Sequence, residues 1–168
     1  MSTFRAARPA DAYALAALEE RSSLATLVGI FAPYPYPSGD VLARWALVLE
    51  EPDVTAVVAT EGDEVAGFAV ADRTSLRHLG VAPERFGSGL ADQLHEQAVA
   101  SWIAAGAPRV ELWVLDANVR ARRFYERHGW TADGRSQESP WLPHPVEVGY
   151  TYELAREQPS SPAALGAL

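Results

Sequence analysis

Apolar and polar positions along the chain follow two periods, and each marks a different kind of element. Val54 to Ala59 is apolar and β-branched, and Val65 to Ala71 continues the pattern after Glu61-Gly-Asp-Glu64. That arrangement predicts a β-hairpin closed by a glycine-containing turn. Leu76–Val81 predicts the next strand, and Val110–Leu115, apolar on both faces, predicts a central one. Val146, Val148, Tyr150, Tyr152 and Leu154 alternate with polar or small residues, as in a half-buried strand. Thr3–Arg5 is a short extended opening. The helical period appears after Pro9 and Asp11, where Leu15, Leu18 and the alanines from Ala12 to Ala17 form one face. It returns from Val41 to Leu49 behind Ser38-Gly-Asp40, and along Leu90, Leu94, Ala98 and Trp102 until Gly106 and Pro108. A last helix runs from about Val119 to His128 and stops at Gly129. Between the first two helices, Phe31-Ala-Pro-Tyr-Pro-Tyr-Pro37 forms a stiff aromatic loop, expected to face a cavity or a partner.

Strands and helices in this order give an α/β layout with no internal repeat. One domain is expected over residues 1–156, followed by a loose Pro/Ser/Ala-rich tail over 157–168. Composition agrees, with 48% hydrophobic and 21% charged residues in 168. The absence of cysteine excludes disulfides and a thiol nucleophile. The first residues lack the apolar core of a signal peptide, and no apolar run reaches the roughly 18 residues of a membrane helix. A cytoplasmic protein without a membrane partner is expected. The net charge of −8 argues against nucleic acid. Every basic residue besides histidine is an arginine, the side chain best shaped to hold phosphate.

The most informative segment is Leu79-Gly-Val-Ala-Pro-Glu-Arg-Phe-Gly-Ser-Gly-Leu-Ala91. A strand ends, two glycines follow and an amphipathic helix begins, so backbone N–H groups and a helix N-terminus converge as an anion cradle. Taken alone it is also a tight strand-to-helix turn. It is not a dinucleotide fingerprint, because Asp92 stands where a third glycine or alanine is needed, and not a P-loop, because the chain has no lysine. Downstream, Leu112 to Trp130 combines a strand with Asn118-x-x-Ala121-x-x-Phe124-Tyr125 and then Gly129-Trp130.

Together these two motifs resemble the signatures of the GNAT superfamily of N-acetyltransferases. The resemblance covers about Thr3 to Ala155 in layout and is specific from Leu76 to Trp130. The first signature, Gln/Arg-x-x-Gly-x-Gly/Ala, is met by Gly89 and Ala91, while Phe86 departs from it with Arg85 just before. The resemblance implies the α+β GNAT fold: a mixed, mostly antiparallel sheet flanked by helices, with Leu76–Val81 and Val110–Leu115 splayed apart. It implies acetyl-CoA as cosubstrate, held by Leu79, Gly80, Val81, Phe86, Gly87, Ser88, Gly89, Leu90, Ala91, Asn118, Ala121 and Phe124. The acceptor amine of a small molecule or peptide then attacks the thioester directly, through a tetrahedral intermediate, with no metal. Tyr125 is implied as general acid. A phenol near pKa ~10 stays neutral at pH 7, but is a slightly weaker acid than a thiol near ~8.5.

An ammonium of pKa ~10.4 costs about 4–5 kcal/mol to deprotonate at pH 7, so a base is wanted. Where the family often has Glu or His, this chain has Ser75 and Arg77. His78 should point to the other face unless the strand bulges, and Glu111 is a further candidate, with a water relay as the default. Arg120, Arg122, Arg123 and Arg127 crowd one helix, either as a solvated face or as coenzyme contacts, and Arg85 offers another cation at the loop. Tyr34, Tyr36, Trp45 and Trp141 are expected to line the acceptor side, with His144 within reach. A larger acyl donor and a non-catalytic acyl-CoA-binding domain stay open as alternatives. Dimers are frequent in the family, so a homodimer also stays open.

Overall fold

The computed structural model describes residues 1–154. The expected boundary at residue 156 and the tail over 157–168 lie outside the described residues. Seven strands form two antiparallel sheets. The first contains β1 (Thr3–Ala6), β2 (Thr55–Glu61), β3 (Glu64–Ala71) and β4 (Leu76–Val81), in the order β1-β2-β3-β4. The second contains β5 (Arg109–Leu115), β6 (Thr131–Glu138) and β7 (Val146–Glu153), in the order β5-β7-β6. The helices are α1 (Ala12–Thr26), α2 (Val28–Phe31), α3 (Ser38–Val48), α4 (Leu90–Ala104) and α5 (Val119–Arg127).

The predicted hairpin is present. Glu61 pairs with Glu64, leaving Gly62 and Asp63 as a two-residue turn with Gly62 at φ 60°. Leu15, Leu18, Val41, Trp45 and Val48 bury α1 and α3 against Val58, Phe68 and Val70 on one face of the first sheet. On the other face, Leu90 and Leu94 of α4 pack against Ala59, Ala69 and Val81. Further along α4, Ala98 and Trp102 reach Leu76, Val110 and Leu112. The single apolar stripe read along α4 therefore joins the two sheets. β6 was not anticipated. Thr131-Ala-Asp-Gly-Arg-Ser-Gln-Glu138 is polar almost throughout, mostly exposed and at a sheet edge, so no alternation announces it. The short α2 was not anticipated either, because four residues carry no period.

β4 and β5 run side by side in parallel but touch only at one end, where Ser75 bridges Glu111 and the Glu111 N–H donates to the Thr74 carbonyl at 2.9 Å. Asp72 fastens that end. Its carboxylate accepts from the Thr74 and Ser75 N–H groups at 2.8 and 2.7 Å, and its carbonyl accepts from Trp102 Nε1 at 2.8 Å. Immediately beyond, β4 bulges: Leu76 faces Ala71 but His78 faces Val70, leaving Arg77 as the extra residue. A bulge bends the strand that carries it, here away from β5. The two strands open into a wedge.

Candidate active site

Ladder alternation fixes which peptide groups the wedge exposes. The Ala82 N–H donates to the Ala66 carbonyl, so Gly80 and His78 bond back to β3, while the N–H and C=O of Leu79 and Val81 turn toward β5. On the other side, the Leu154 N–H donates to Pro108 and the Asp116 N–H to Val146, so Trp113 and Leu115 turn their peptides toward β4. Two edges of backbone not bonded to β3 or β7 thus face each other. Gly80 is required where it stands, since a Cβ there would lie 2.6 Å from Cζ of Phe68.

A cavity of about 160 Å³ opens beside β4. Leu79, Gly80, Val81, Phe86, Ala91, Asn118, Ala121, Phe124 and Tyr125 all line it, which brings together nine residues singled out in the two motifs. Gly87, Ser88, Gly89 and Leu90 are not on its wall. Gly87 and Gly89 adopt φ 74° and 84° with open space where a Cβ would be, at the mouth of α4. The side chain of Leu90 is buried in the core, so only its backbone is available, and its N–H points to Ser88 Oγ at 3.4 Å. Ser22 and Thr26, one turn apart on α1, complete the wall, and sequence reasoning missed both. Their signal was a small hydroxyl pair at helical spacing.

Asn118 caps α5, its Oδ1 accepting from the Ala121 N–H at 3.2 Å. This cap starts α5 so that Ala121, Phe124 and Tyr125 meet the cavity. Tyr125 packs edge-on to Trp130, with centroids 5.9 Å apart, and its hydroxyl has no hydrogen-bond partner among the described residues. Desolvation raises its pKa above the ordinary phenol value. A neutral O–H donor therefore faces the cavity at neutral pH.

The arginines divide. Arg120 stacks on the Phe86 ring, its guanidinium carbon 3.7 Å from the centroid, so α5 brings a cation to the loop position where the family signature has Gln or Arg. Arg85 does not supply that charge, because it is ion-paired to Glu61. Arg122 binds Asp116 and the Tyr150 hydroxyl, and Arg127 binds Asp92 at 2.9 Å. Both are committed inside the fold. Asp92, which would otherwise repel an anion at the α4 N-terminus, is also met by His128 Nε2 at 2.9 Å.

The candidate bases are all engaged. Ser75 donates to Asp72 at 2.9 Å, Arg77 is paired with Glu51 at 2.6 Å, and Glu111 is paired with Arg135 at 2.9 Å. The bulge turns His78 onto Trp45, with centroids 5.4 Å apart, and burial beside Arg44 and Arg77 lowers its pKa to about 3. Trp45 is a correction. It is fully buried against Phe68 and donates from Nε1 to Glu19 at 2.7 Å, so it lines no cavity. His144 is a second correction, since its Nδ1 is tied to the Ser139 carbonyl at 2.9 Å and it stays off the cavity wall.

The wedge, the glycine turn and the capped helix stand together as in one family of proteins. Residues 39–146 match the acetyltransferase (GNAT) domain, and the chain belongs to that family. N-acetyltransferases of uncharacterised role from Mycobacterium tuberculosis and Mycobacterium bovis are 32% identical over 97 residues. That stretch spans 55% of this chain and 62% of theirs, so the match takes in less than two thirds of those relatives. A protein assigned to the GNAT family from Desulfovibrio desulfuricans is 25% identical, with a TM-score of 0.71 over 92% of this chain and 100% of its own. PaiA N-acetyltransferase from Thermoplasma acidophilum, solved in complex with coenzyme A, shares the fold at 16% identity, with a TM-score of 0.73 over 92% and 99% of the two chains. Among the described residues no helix is long and apolar enough to cross a membrane.

Proposed function

We propose that this chain transfers an acetyl group from acetyl-CoA to an amine. The observation that carries the reading is that the Tyr125 hydroxyl and the unpaired peptides of Leu79 and Val81 converge on one cavity beside the glycine turn. Acetyl-CoA, when bound, supplies an activated acetyl thioester on an arm that itself carries peptide-like amides. The free N–H and C=O groups of β4 suit that arm as an added strand would. The N-terminus of α4 and the Gly87–Gly89 turn suit the diphosphate, with Arg120, stacked on Phe86 at the cavity wall, as a cation beside them.

In this reading a β4 amide faces the acetyl oxygen as negative charge grows on it. The neutral amine nitrogen bonds to the acetyl carbon, the C=O electron pair moves to the oxygen in a tetrahedral intermediate, and the carbon–sulfur bond breaks as the carbonyl re-forms. Tyr125 gives its proton to the sulfur, which leaves as a thiol, and recovers a proton from water. Desolvation raises the Tyr125 pKa, and it would raise that of a thiol in the same cavity too, which partly offsets the gap between the two acids. The amine proton passes to water, since no side chain of the wedge is free to take it.

That lack of a free base favours a second reading, an acyl-CoA-binding domain without turnover. Thiol release from acetyl-CoA across a panel of amines separates the two. Tyr125→Phe should lower kcat by about 10²–10³-fold while coenzyme A affinity is held. A wild-type protein that binds coenzyme A but releases no thiol with any amine would refute the transfer reading.

A further inference from the structure

A second cavity of about 570 Å³ lies across α1 from the first. Helical spacing divides the two: Ser22 and Thr26 face the small cavity, whereas Glu19, Ser23 and Leu27 face the large one. Leu115, whose peptide turns into the wedge, also lines the large cavity, so the second space reaches the open end of the first. A volume of this size suits a small molecule rather than a folded partner.

Three features of its wall describe the occupant. Leu24, Val28, Tyr34 and Leu142 are large apolar side chains left exposed to solvent, and all four converge on this cavity. Exposed apolar surface gathered in one place marks a binding site for apolar matter. Second, the acidic residues of the wall are Glu19, Asp40 and Glu147, with no arginine or histidine lining it beside them. Glu19 is satisfied from behind by Arg44 and by Trp45 Nε1, and Glu147 accepts one bond from the neutral Gln137 amide at 2.9 Å, so Asp40 and Glu147 are the wall carboxylates without a cationic partner among the described residues. Third, the Tyr36 hydroxyl is buried in this wall beside Ser23 and makes no well-formed hydrogen bond, although buried polar groups are rarely left unpaired.

We propose that this cavity holds the acceptor, and that the acceptor is a small amine, cationic in solution, on an apolar ring-bearing body. The assignment rests on the acetyl-transfer reading of the neighbouring wedge. The ring lies among the exposed apolar side chains and Trp141, the ammonium among the carboxylates, and a polar atom of the ligand meets Tyr36. A polyamine would desolvate several charges for only two carboxylates not already ion-paired, and a peptide would bury backbone amides against Leu27, Phe31 and Val41 without partners.

Calorimetry on the protein saturated with coenzyme A, using 2-phenylethylamine, 2-phenylethanol, spermidine and an alanine-rich peptide, tests this directly. 2-Phenylethylamine should bind at least tenfold more tightly than the other three. Asp40→Asn with Glu147→Gln should weaken it about three- to tenfold. Leu142→Asn, which removes apolar surface at an exposed position without adding charge, should weaken it comparably. Equal binding of 2-phenylethanol, or tighter binding of spermidine or the peptide, would overturn the inference. Thiol release measured beside it keeps the two readings apart. Release with spermidine or the peptide, without 2-phenylethylamine binding, overturns the cavity assignment and leaves acetyl transfer standing. Binding of 2-phenylethylamine while no amine of the panel releases thiol from acetyl-CoA overturns acetyl transfer, and with it the role of acceptor, and leaves only a small-amine site.

Discussion

Acidification from pH 7 to pH 5 should destabilise this protein by several kcal/mol, and two histidines, one buried and one half-buried, set the amount. His95 on α4 is 3% exposed. Its Nε2 accepts from the Trp130 indole N–H at 2.9 Å, which fixes its proton on Nδ1 and leaves the ring neutral. Burial first, then the neighbouring His128, lowers its pKa to about 4 against a partial offset from Asp92. His78 is lowered further, to about 3, by burial and by Arg44 and Arg77. Both folded values lie below the unfolded one near ~6.5, so the unfolded chain takes up protons first as pH falls. At pH 5 each histidine then costs about 2 kcal/mol relative to a group that does not titrate, or about 4 kcal/mol together. Carboxylates add little in this window. Asp11, Asp72, Asp92, Asp133, Glu61 and Glu84 all have lowered pKa values, so their contribution is lost only below about pH 4.5. Urea unfolding followed by tryptophan fluorescence at pH 7, 6 and 5 measures the slope. His95→Gln, which keeps an acceptor for Trp130 but does not titrate, should remove about half of it. A change below about 1 kcal/mol between pH 7 and 5, or an undiminished slope in His95→Gln, would refute the reasoning.

Two further changes probe the wedge. Arg120→Ala removes the cation stacked on Phe86 and should raise KM for acetyl-CoA about fivefold with kcat held, and an unchanged KM would deny Arg120 a part in coenzyme binding. Gly80→Ala places a methyl 2.6 Å from Phe68, whose ring is itself locked edge-on against Trp45 at 5.0 Å, so overpacking should cost about 1–3 kcal/mol. Differential scanning calorimetry should show a melting temperature lower by several degrees, and an unshifted transition would mean that Phe68 moves freely.

The donor half of the site was legible in the sequence because backbone conformation does most of its work. Gly80, Gly87 and Gly89 stand where a Cβ would clash or φ is positive, and Asn118 stands where a helix must be capped. Such requirements restrict residue type, and restricted types leave a motif. The partners of charged side chains left no such mark. Nothing in the string told Arg120, which meets Phe86, from Arg122 and Arg127, which are neutralised at home. Trp45 and Trp141 looked equivalent as aromatics beside loops, yet one fills the core and the other a cavity wall. β6 stayed hidden because an exposed edge strand is held by ladder hydrogen bonds, which any sequence can make.

The acceptor half was hidden for a different reason: its wall is assembled from segments far apart in the chain. α1, the aromatic loop, the end of β5 and the β6–β7 loop each give a few residues, and in none of them does residue type follow from local backbone. What ties these segments to the wedge is the position of α1 along β4, which follows from the packing of Leu15 and Leu18 against Trp45, Phe68 and Val70. The last turns of α1 then form a partition between the two cavities, with Ser22 and Thr26 on the donor side and Glu19, Ser23 and Leu27 on the other. Because α1 carries both walls, the proposed amine cavity and the proposed seat of the thioester would be coupled through one helix.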